Sequence, residues 1–374
     1  MRTLLKAADL TPANYEHLAD EIQQRISFGV GRKNKEPVDD PVLSEIAGNP
    51  FFQQQGLVKM AEEQLGTVGS GNHYVDVLED ETDHRLWIAV HFGSRGFGWK
   101  TAQGFMNVAQ GKQFDARSGS ESMDAPPLLL AVQQPSGQDY IAAMQTAGRY
   151  AYAGRSAVVK KVLQILGTGE DFIVHNHHNF AWFEPHDGGM WVVRKGATPA
   201  FPGQWGFVGG SMGDLSVVIR GKESKESAAA LYSTIHGAGR VMSRTQAAGK
   251  QVWSRAAWAC GNYRQCDFSA PVSQFERGEN DARPLCPKCG SKLQKRGARQ
   301  QVRTGGQVDF QGEKQKLQSR GIILRGAGAD EAPPVYRPLE SVLQAHAGTI
   351  DVVHRLQPRV VVMAGSDEFD PYKD

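Results

Sequence analysis

Four short segments of this chain set histidine among glycine, asparagine and other small residues: Gly71-Asn72-His73, His91-Phe92-Gly93-Ser94-Arg95-Gly96, His175-Asn176-His177-His178-Asn179 and His236-Gly237-Ala238-Gly239-Arg240. A fifth, Gly209-Gly210-Ser211-Met212-Gly213, has the same small-residue character without histidine. Neutral imidazole is a ligand for first-row metals. Glycine turns expose backbone N–H groups, and these hold anions. Together the two patterns point to a metal-assisted site that holds phosphates.

His73, His91 and His178 each lie beside a short apolar run that reads as a strand. Ligands delivered from separate strand ends can share one or two ions. One such histidine by itself is a hydrogen-bonded structural residue; three in like settings favour ligation. The Gly-Ser-Arg-Gly and Gly-Ser-Met-Gly segments offer hydroxyls, backbone amides and the Arg95 guanidinium to an anion. His236 interrupts a stretch of helical composition, residues 228–248. It is expected at the start of a new helix, where a nucleophilic imidazole would face phosphorus. Taken alone, it fits better as a histidine filling a glycine-rich bend.

All four cysteines fall between Cys260 and Cys289. Cys260-x5-Cys266 and Cys286-Pro287-Lys288-Cys289-Gly290 form two pairs, which is the pattern of a closed four-thiolate zinc site. Clustering of this kind is not a secreted disulfide framework. From 282 to 308 there is no acid and there are seven basic residues. Such a flank suits a phosphate backbone, and it equally fits a solvated charge run.

Elements must position these groups. Residues 11–28 read as a helix, with Thr11 as N-cap, Pro12 at its first position and Leu18, Ile22 and Ile26 on one face. A second helix and its exit are expected over 41–56, and a long one over 139–166. Strands are expected at 74–78, 86–90, 172–174, 190–194, 215–219 and 360–363. Residues 32–40 and 112–127 read as loops, and 339–356 as a closing helix. Helices and strands alternate without regular βαβ spacing, so the fold class is α+β. The chain divides into a large domain over 1–251 and 309–374 and an inserted ribbon over 252–308. The net charge of +2 says little about partners, and 40% hydrophobic residues over 374 suffice for a large core. No apolar run approaches the roughly 18 residues that span a bilayer, and no signal-like start is visible. A cytoplasmic location is expected.

The segments resemble, in order, those of the RtcB RNA-splicing ligases. The matching stretches are Gly66-Thr67-Val68-Gly69-Ser70-Gly71-Asn72-His73, His91 to Gly96, His178-Asn179, Arg194-Lys195-Gly196-Ala197, Gly210 to Gly213, His236 to Arg244, and Asp330-Glu331-Ala332-Pro333. The resemblance implies a ligase that joins RNA 3′-phosphate or 2′,3′-cyclic phosphate ends to 5′-hydroxyl ends, with GTP and manganese, in tRNA splicing or RNA repair. It implies manganese ligation by His73, His91 and His178, and guanylylation of His236. It assigns nucleotide contacts to Asn72, Asp76, Ser211, Ser216, Ala238 and Gly239, and RNA or phosphate contacts to Arg95 and Asn179.

The chain also departs from that pattern. An Asp-x-x-Cys-Gly metal motif stands upstream of the first helix in the family, and the chain's Met1 falls at about the point where that motif ends. Asp76 replaces a glutamate, Ala364-Gly365 replaces Lys-Gly, and Phe92 fills a small polar position. Residues 366–374 extend past the usual end. The ribbon is not a general family feature. One alternative is therefore a shortened, inactive member that binds RNA or nucleotide. A metal-dependent phosphoesterase is weaker, because it leaves His236-Gly237-Ala238-Gly239 without a role.

Overall fold

The computed structural model describes residues 2–117, 126–262, 265–266, 268–275 and 282–365. Residues 118–125 of the expected 112–127 loop, and the tail at 366–374, lie outside the described residues.

Strand β1 (Arg2–Lys6) leads into helix α1 (Pro12–Arg25). Thr11 caps α1 by accepting from the Asn14 amide, and Pro12 opens it. Three short helices follow: α2 (Pro41–Gly48), α3 (Pro50–Gln54) and α4 (Val58–Gln64). The single helix expected after Pro41 is thus two. Asn49 ends α2 and caps α3, and Pro50 has no N–H to continue the ladder. Next come β2 (Tyr74–Asp80), β3 (Arg85–His91), α5 (Arg95–Ala109) and the 32-residue α6 (Pro135–Leu166). Gly167, at φ 64°, closes α6 in the left-handed region.

The middle of the chain contains β4 (Glu170–Phe172), β5 (Asn179–Glu184), β6 (Met190–Lys195), β7 (Ala197–Pro199), β8 (Trp205–Val208) and β9 (Ser216–Gly221). After it come α7 (Lys225–Ala229), β10 (Ser233–Ile235) and α8 (Arg244–Ala248). Of the interrupted helical stretch expected over 228–248, only residues 228–229 and 244–248 are helix; the middle is strand and loop. Thr234 and Ile235 are β-branched and pair with Thr198 and Ala197 of β7, and the Gly-Ala-Gly run that follows has little helical preference.

Strands β11 (Lys250–Cys260), β12 (Ser269–Pro271) and β13 (Leu293–Thr304) form their own sheet. The chain ends with α9 (Phe310–Ser319), β14 (Ile323–Ala327), α10 (Leu339–Ala345) and β15 (Ile350–Gly365). The closing helix expected to reach Leu356 stops at Ala345. Beyond the Gly348 break, Ile350, Val352 and Val353 favour the extended chain, and Ile350 and Val352 pair with β9.

The main sheet has eight strands, ordered β4-β1-β3-β2-β15-β9-β8, with β14 lying parallel to β15. The other pairings in it are antiparallel, so the fold is α+β. Strand alternation divides the sheet's side chains. Val75, Val77, Leu86, Ile88, Val360 and Val362 pack against α1 and α6. On the opposite face Leu78, Trp87 and Ala89 join Val218 and Leu356. Phe92 is packed in the first of these cores, which accounts for an aromatic at that position.

Candidate active site

Sheet register brings the first two histidines together. Tyr74 pairs with His91, so His73, one residue earlier, stands at the same end of the β2–β3 pair. Their ring centroids are 6.1 Å apart. His178, just ahead of β5, stacks on His91 at 4.8 Å, and His236, just after β10, stacks on His178 at 4.6 Å. The four rings thus form a continuous row, although they come from four places in the chain.

His236 follows a strand, not a break between helices. The next helix opens only at Arg244, capped by Ser243, so no helix N-terminus backs His236. Instead, His236 Nδ1 lies 2.8 Å from the Gly196 carbonyl oxygen. A carbonyl only accepts, so Nδ1 carries the proton and the lone pair resides on Nε2. Burial lowers the His236 pKa, which keeps the ring neutral. This tautomer leaves one nucleophilic nitrogen.

Burial, and then the Arg95 charge, bring His73 to about 3. Burial and neighbouring His236 and Arg155 bring His178 to about 4. His91 is held well below its ordinary value, again first by burial. All three are therefore neutral imidazoles, the form that ligates metal. Arg95 Nη1 stands 3.2 Å from His73 Nδ1. A guanidinium only donates, so His73 Nδ1 is the acceptor and its lone pair is engaged by Arg95. The donor chemistry fits a first-row ion. The spacing is looser: among the described residues, the cysteines alone make a group whose ligand atoms all lie within 4.8 Å of one another.

Two glycines are sterically required here. A Cβ on Gly69, at φ 93°, would strike the Arg95 guanidinium at 2.2 Å. A Cβ on Gly209 would lie 2.5 Å from Tyr74 Oη. Gly209 also bridges to Gly237, tying the Gly-Gly-Ser-Met-Gly loop to the His236 segment. Ser216 is buried and its Oγ accepts from the Gly210 amide. Ser211 is partly exposed in that loop, Ala238 is buried, and Asn72, Asn179 and Gly239 are exposed. Asp76 is buried, 8% exposed. It lies inside the sheet between Ala89 and Val361, its Oδ1 makes no hydrogen bond, and burial raises its pKa well above the carboxylate range.

Several supporting residues carried no assigned role in the sequence reading. Glu331, 4% exposed, receives Arg240 Nη1 and Arg244 Nε, each at 3.2 Å, and also bonds Tyr336 Oη. Arg240 further donates to the Asp330 carbonyl at 2.6 Å. This network clamps the chain that follows His236 against residues 330–337. Arg194, also buried, donates to both Glu184 oxygens at 2.6 and 2.9 Å, to Ser233 Oγ and to the Leu231 carbonyl, which holds β6 against the start of β10. Signals for these were present in Arg194-Lys195-Gly196-Ala197, Arg240, Arg244 and Asp330-Glu331, but their partners are remote in sequence. Arg155 gave no signal in the chain order at all.

The cysteine group lies at the far end of the β11–β13 hairpin. Lys250 pairs with Thr304 at its base and Cys260 with Leu293 near its tip. Eleven residues of β11 give an arm of about 35 Å. Cys260 and Cys289 sulfurs are 3.4 Å apart, and those of Cys266 and Cys286 are 3.7 Å apart. These are far longer than a disulfide. They are near the roughly 3.8 Å edge of a tetrahedron of thiolates around zinc. The four sulfurs thus fit one metal ion. Trp258, Val272 and Leu293 pack beside them.

The α+β scaffold thus lines up four neutral imidazoles, with the Arg95 guanidinium and glycine-rich loops beside them. The chain belongs to the RtcB family: the family model described as "tRNA-splicing ligase RtcB" matches residues 44–257. It is 33% identical over 273 residues to the RNA-splicing ligase RtcB of Escherichia coli K12, covering 66% of this chain and 65% of that protein. It is 30% identical over 316 residues to the tRNA-splicing ligase RtcB of Archaeoglobus fulgidus, with the same coverage of 66% and 65%. The chain thus spans just under two thirds of the length of these curated relatives. No helix among the described residues is long and apolar enough to cross a membrane.

Proposed function

We propose that this protein is an RNA ligase that joins a 3′-phosphate or 2′,3′-cyclic phosphate end to a 5′-hydroxyl end, using GTP and manganese through a histidine–GMP intermediate. The observation that carries this reading is His236. Its Nδ1–H is committed to Gly196, its Nε2 is open, and its ring continues the row of His178 and His91.

In this reading His236 Nε2 attacks the α-phosphorus of GTP. The N–P bond forms as the bond to pyrophosphate breaks, and pyrophosphate leaves. A 2′,3′-cyclic phosphate end would first be opened by water, which adds to phosphorus as the bond to the 2′ oxygen breaks; an oxygen of the RNA 3′-phosphate then attacks the phosphorus of the histidine-bound GMP, takes the GMP and frees His236. The 5′-hydroxyl attacks the activated 3′-phosphate, losing its proton to solvent, and GMP leaves. Dividing one hard condensation among covalent steps is the use of a nucleophilic imidazole. Manganese, held by His73, His91 and His178, would supply Lewis-acid neutralisation of charge on the phosphates. Ser211, Asn72 and the Ala238-Gly239 backbone would face the nucleotide. Arg95 and Asn179 would face RNA phosphates.

The cysteine group would bind zinc as a structural ion. Strands β11 and β13 contain no acid, and their register sets Arg255 opposite Arg299. A phosphate backbone lying along the arm would meet its lysines and arginines.

The test is labelling. The protein, incubated with manganese and α-labelled GTP, should become covalently labelled, and His236→Ala should abolish the label. Persistence of label in that variant removes His236 as nucleophile. GTP binding without any label would favour the inactive, nucleotide-binding alternative.

A further inference from the structure

The β5–β6 hairpin has one anchored face and one open face. Its register sets Asn179 opposite Lys195, Ala181 opposite Val193 and Phe183 opposite Trp191. Alternation puts these six side chains on one side, and Phe180, Trp182, Glu184, Val192 and Arg194 on the other. The second side is packed. Glu184, Val192 and Arg194 are buried, and the Arg194 guanidinium carbon lies 5.1 Å from the Trp182 ring. Phe180 approaches α6 so closely that a Cβ on Gly148 would lie 2.7 Å from its ring. The first side faces water: Phe183 is 65% exposed, Val193 is 74% exposed, and Asn179 and Lys195 are exposed as well.

A contiguous apolar surface left in water marks a place where something docks. Three observations say what. The aromatic rings are fixed in place although open. Phe183 and Trp191 have centroids 5.7 Å apart at 63°, and the Phe183 ring lies across Gly189, where a Cβ would stand 2.7 Å from it. A ring already held loses little freedom when a flat ligand lies on it. The charge is one-sided. None of the six residues is acidic, Lys195 is a cation, and the exposed acid of this hairpin, Asp187, stands in the turn beyond the rings. The face is also continuous with the candidate active site. Asn179 directly follows His178, and Lys195 directly precedes Gly196, whose carbonyl accepts from His236. The rings lie four residues further along β5, about 14 Å from Asn179. Flat groups strung on an anionic chain meet all three conditions, and single-stranded nucleic acid is that ligand. A second copy of this chain fits less well, because six residues are far fewer than the roughly 20–30 a side of a stable protein interface.

We propose that the open face of the β5–β6 hairpin is a stacking platform for unpaired RNA bases, built on Phe183 and Trp191 and taking nucleotides a short way from the end held at the histidine row. That the strand is RNA, and that its end lies at the histidines, rests on the ligase reading; the platform itself rests on the hairpin.

The experiment titrates the whole chain, without added divalent ions, into an unstructured oligoribonucleotide with a 5′-fluorescein, read by anisotropy. Phe183→Ala and Trp191→Ala should each weaken binding by about tenfold, the usual worth of one stacked base. Phe183→Tyr and Trp191→Phe, which keep a ring, should recover most of it. A blunt duplex of the same sequence has its bases already stacked, and its binding should not respond to either alanine. The fluorescent base 2-aminopurine, placed within the strand, should be quenched by wild type and less so by Phe183→Ala. Phe183 lies mostly in water, so Phe183→Ala should keep the thermal midpoint. If Trp191→Ala does not fold, the two Phe183 variants and the quenching still decide. No RNA binding by wild type, or wild-type affinity in folded Phe183→Ala and Trp191→Ala, overturns the proposal. A wild-type dimer in sedimentation that Phe183→Ala makes monomeric, with RNA affinity unchanged, gives the face to a second copy and also overturns it. A wild-type protein that binds RNA through these rings yet never takes label from GTP keeps the platform and loses the ligase reading. Labelling of wild type together with unchanged RNA affinity in both alanine variants does the reverse.

Discussion

At the scale of single residues, Arg194 is 1% exposed at its side chain and bidentate to Glu184, with Ser233 and Leu231 taking its other protons. Burial alone would raise the Glu184 pKa; hydrogen bonds from Arg194 and His186 more than offset it, and the carboxylate is held below its ordinary 4.5. Its contribution is present above that value and is lost as pH falls through the lowered one. Glu184→Ala would leave the guanidinium buried and unpaired. We expect a loss of about 3–5 kcal/mol in urea unfolding. A loss below about 1 kcal/mol would mean that water reaches the pair. His236 shows how one carbonyl selects a tautomer: without the bond to Gly196, either nitrogen could carry the proton.

At the scale of elements, the hairpin arm depends on its own small core. Among the described residues, its tip buries Trp258, Cys260, Val272, Cys286 and Leu293. Small modules of this size ordinarily rely on a metal. Elemental analysis should find one zinc per chain, lost on changing Cys286 and Cys289 to serine. The main sheet, whose cores lie elsewhere, should keep its cooperative unfolding in that variant. Unchanged zinc content would end the assignment. The arm's strands were only partly legible in the sequence. The Cys-Pro-Lys-Cys-Gly knuckle announced a turn, but nothing local stated that residues 250 and 304 would pair. That pairing is a long-range register between alternating, mostly polar strands.

At the scale of the whole molecule, burial of neutral histidines makes the fold acid-sensitive. His73, His91, His175, His177, His178 and His236 are all depressed from 6.5, with burial the first cause of each. The unfolded chain takes up protons near 6.5 while the folded one does not. Stability is therefore full above that value and falls as pH drops toward the folded values, about 4 for His178 and about 3 for His73. The thermal midpoint should drop by on the order of several degrees between about pH 7 and about pH 5 in metal-free buffer. A midpoint flat over that interval would contradict the burial of these rings. The sequence by itself determined which residue types could do the chemistry: three histidines at strand ends, one beside Gly-Ala-Gly, and four cysteines in two pairs. It also fixed α1 and the strands β2 and β3, whose capping and alternation are local signals. It misjudged the stretches around His236 and Leu356, where composition resembled a helix and pairing with β7 and β9 won. Only the tertiary structure stacked His91, His178 and His236 into one row and buried Asp76 within the sheet. Periodicity reports each segment's own preference; which side chains meet is set by sheet register and packing between segments a hundred residues apart.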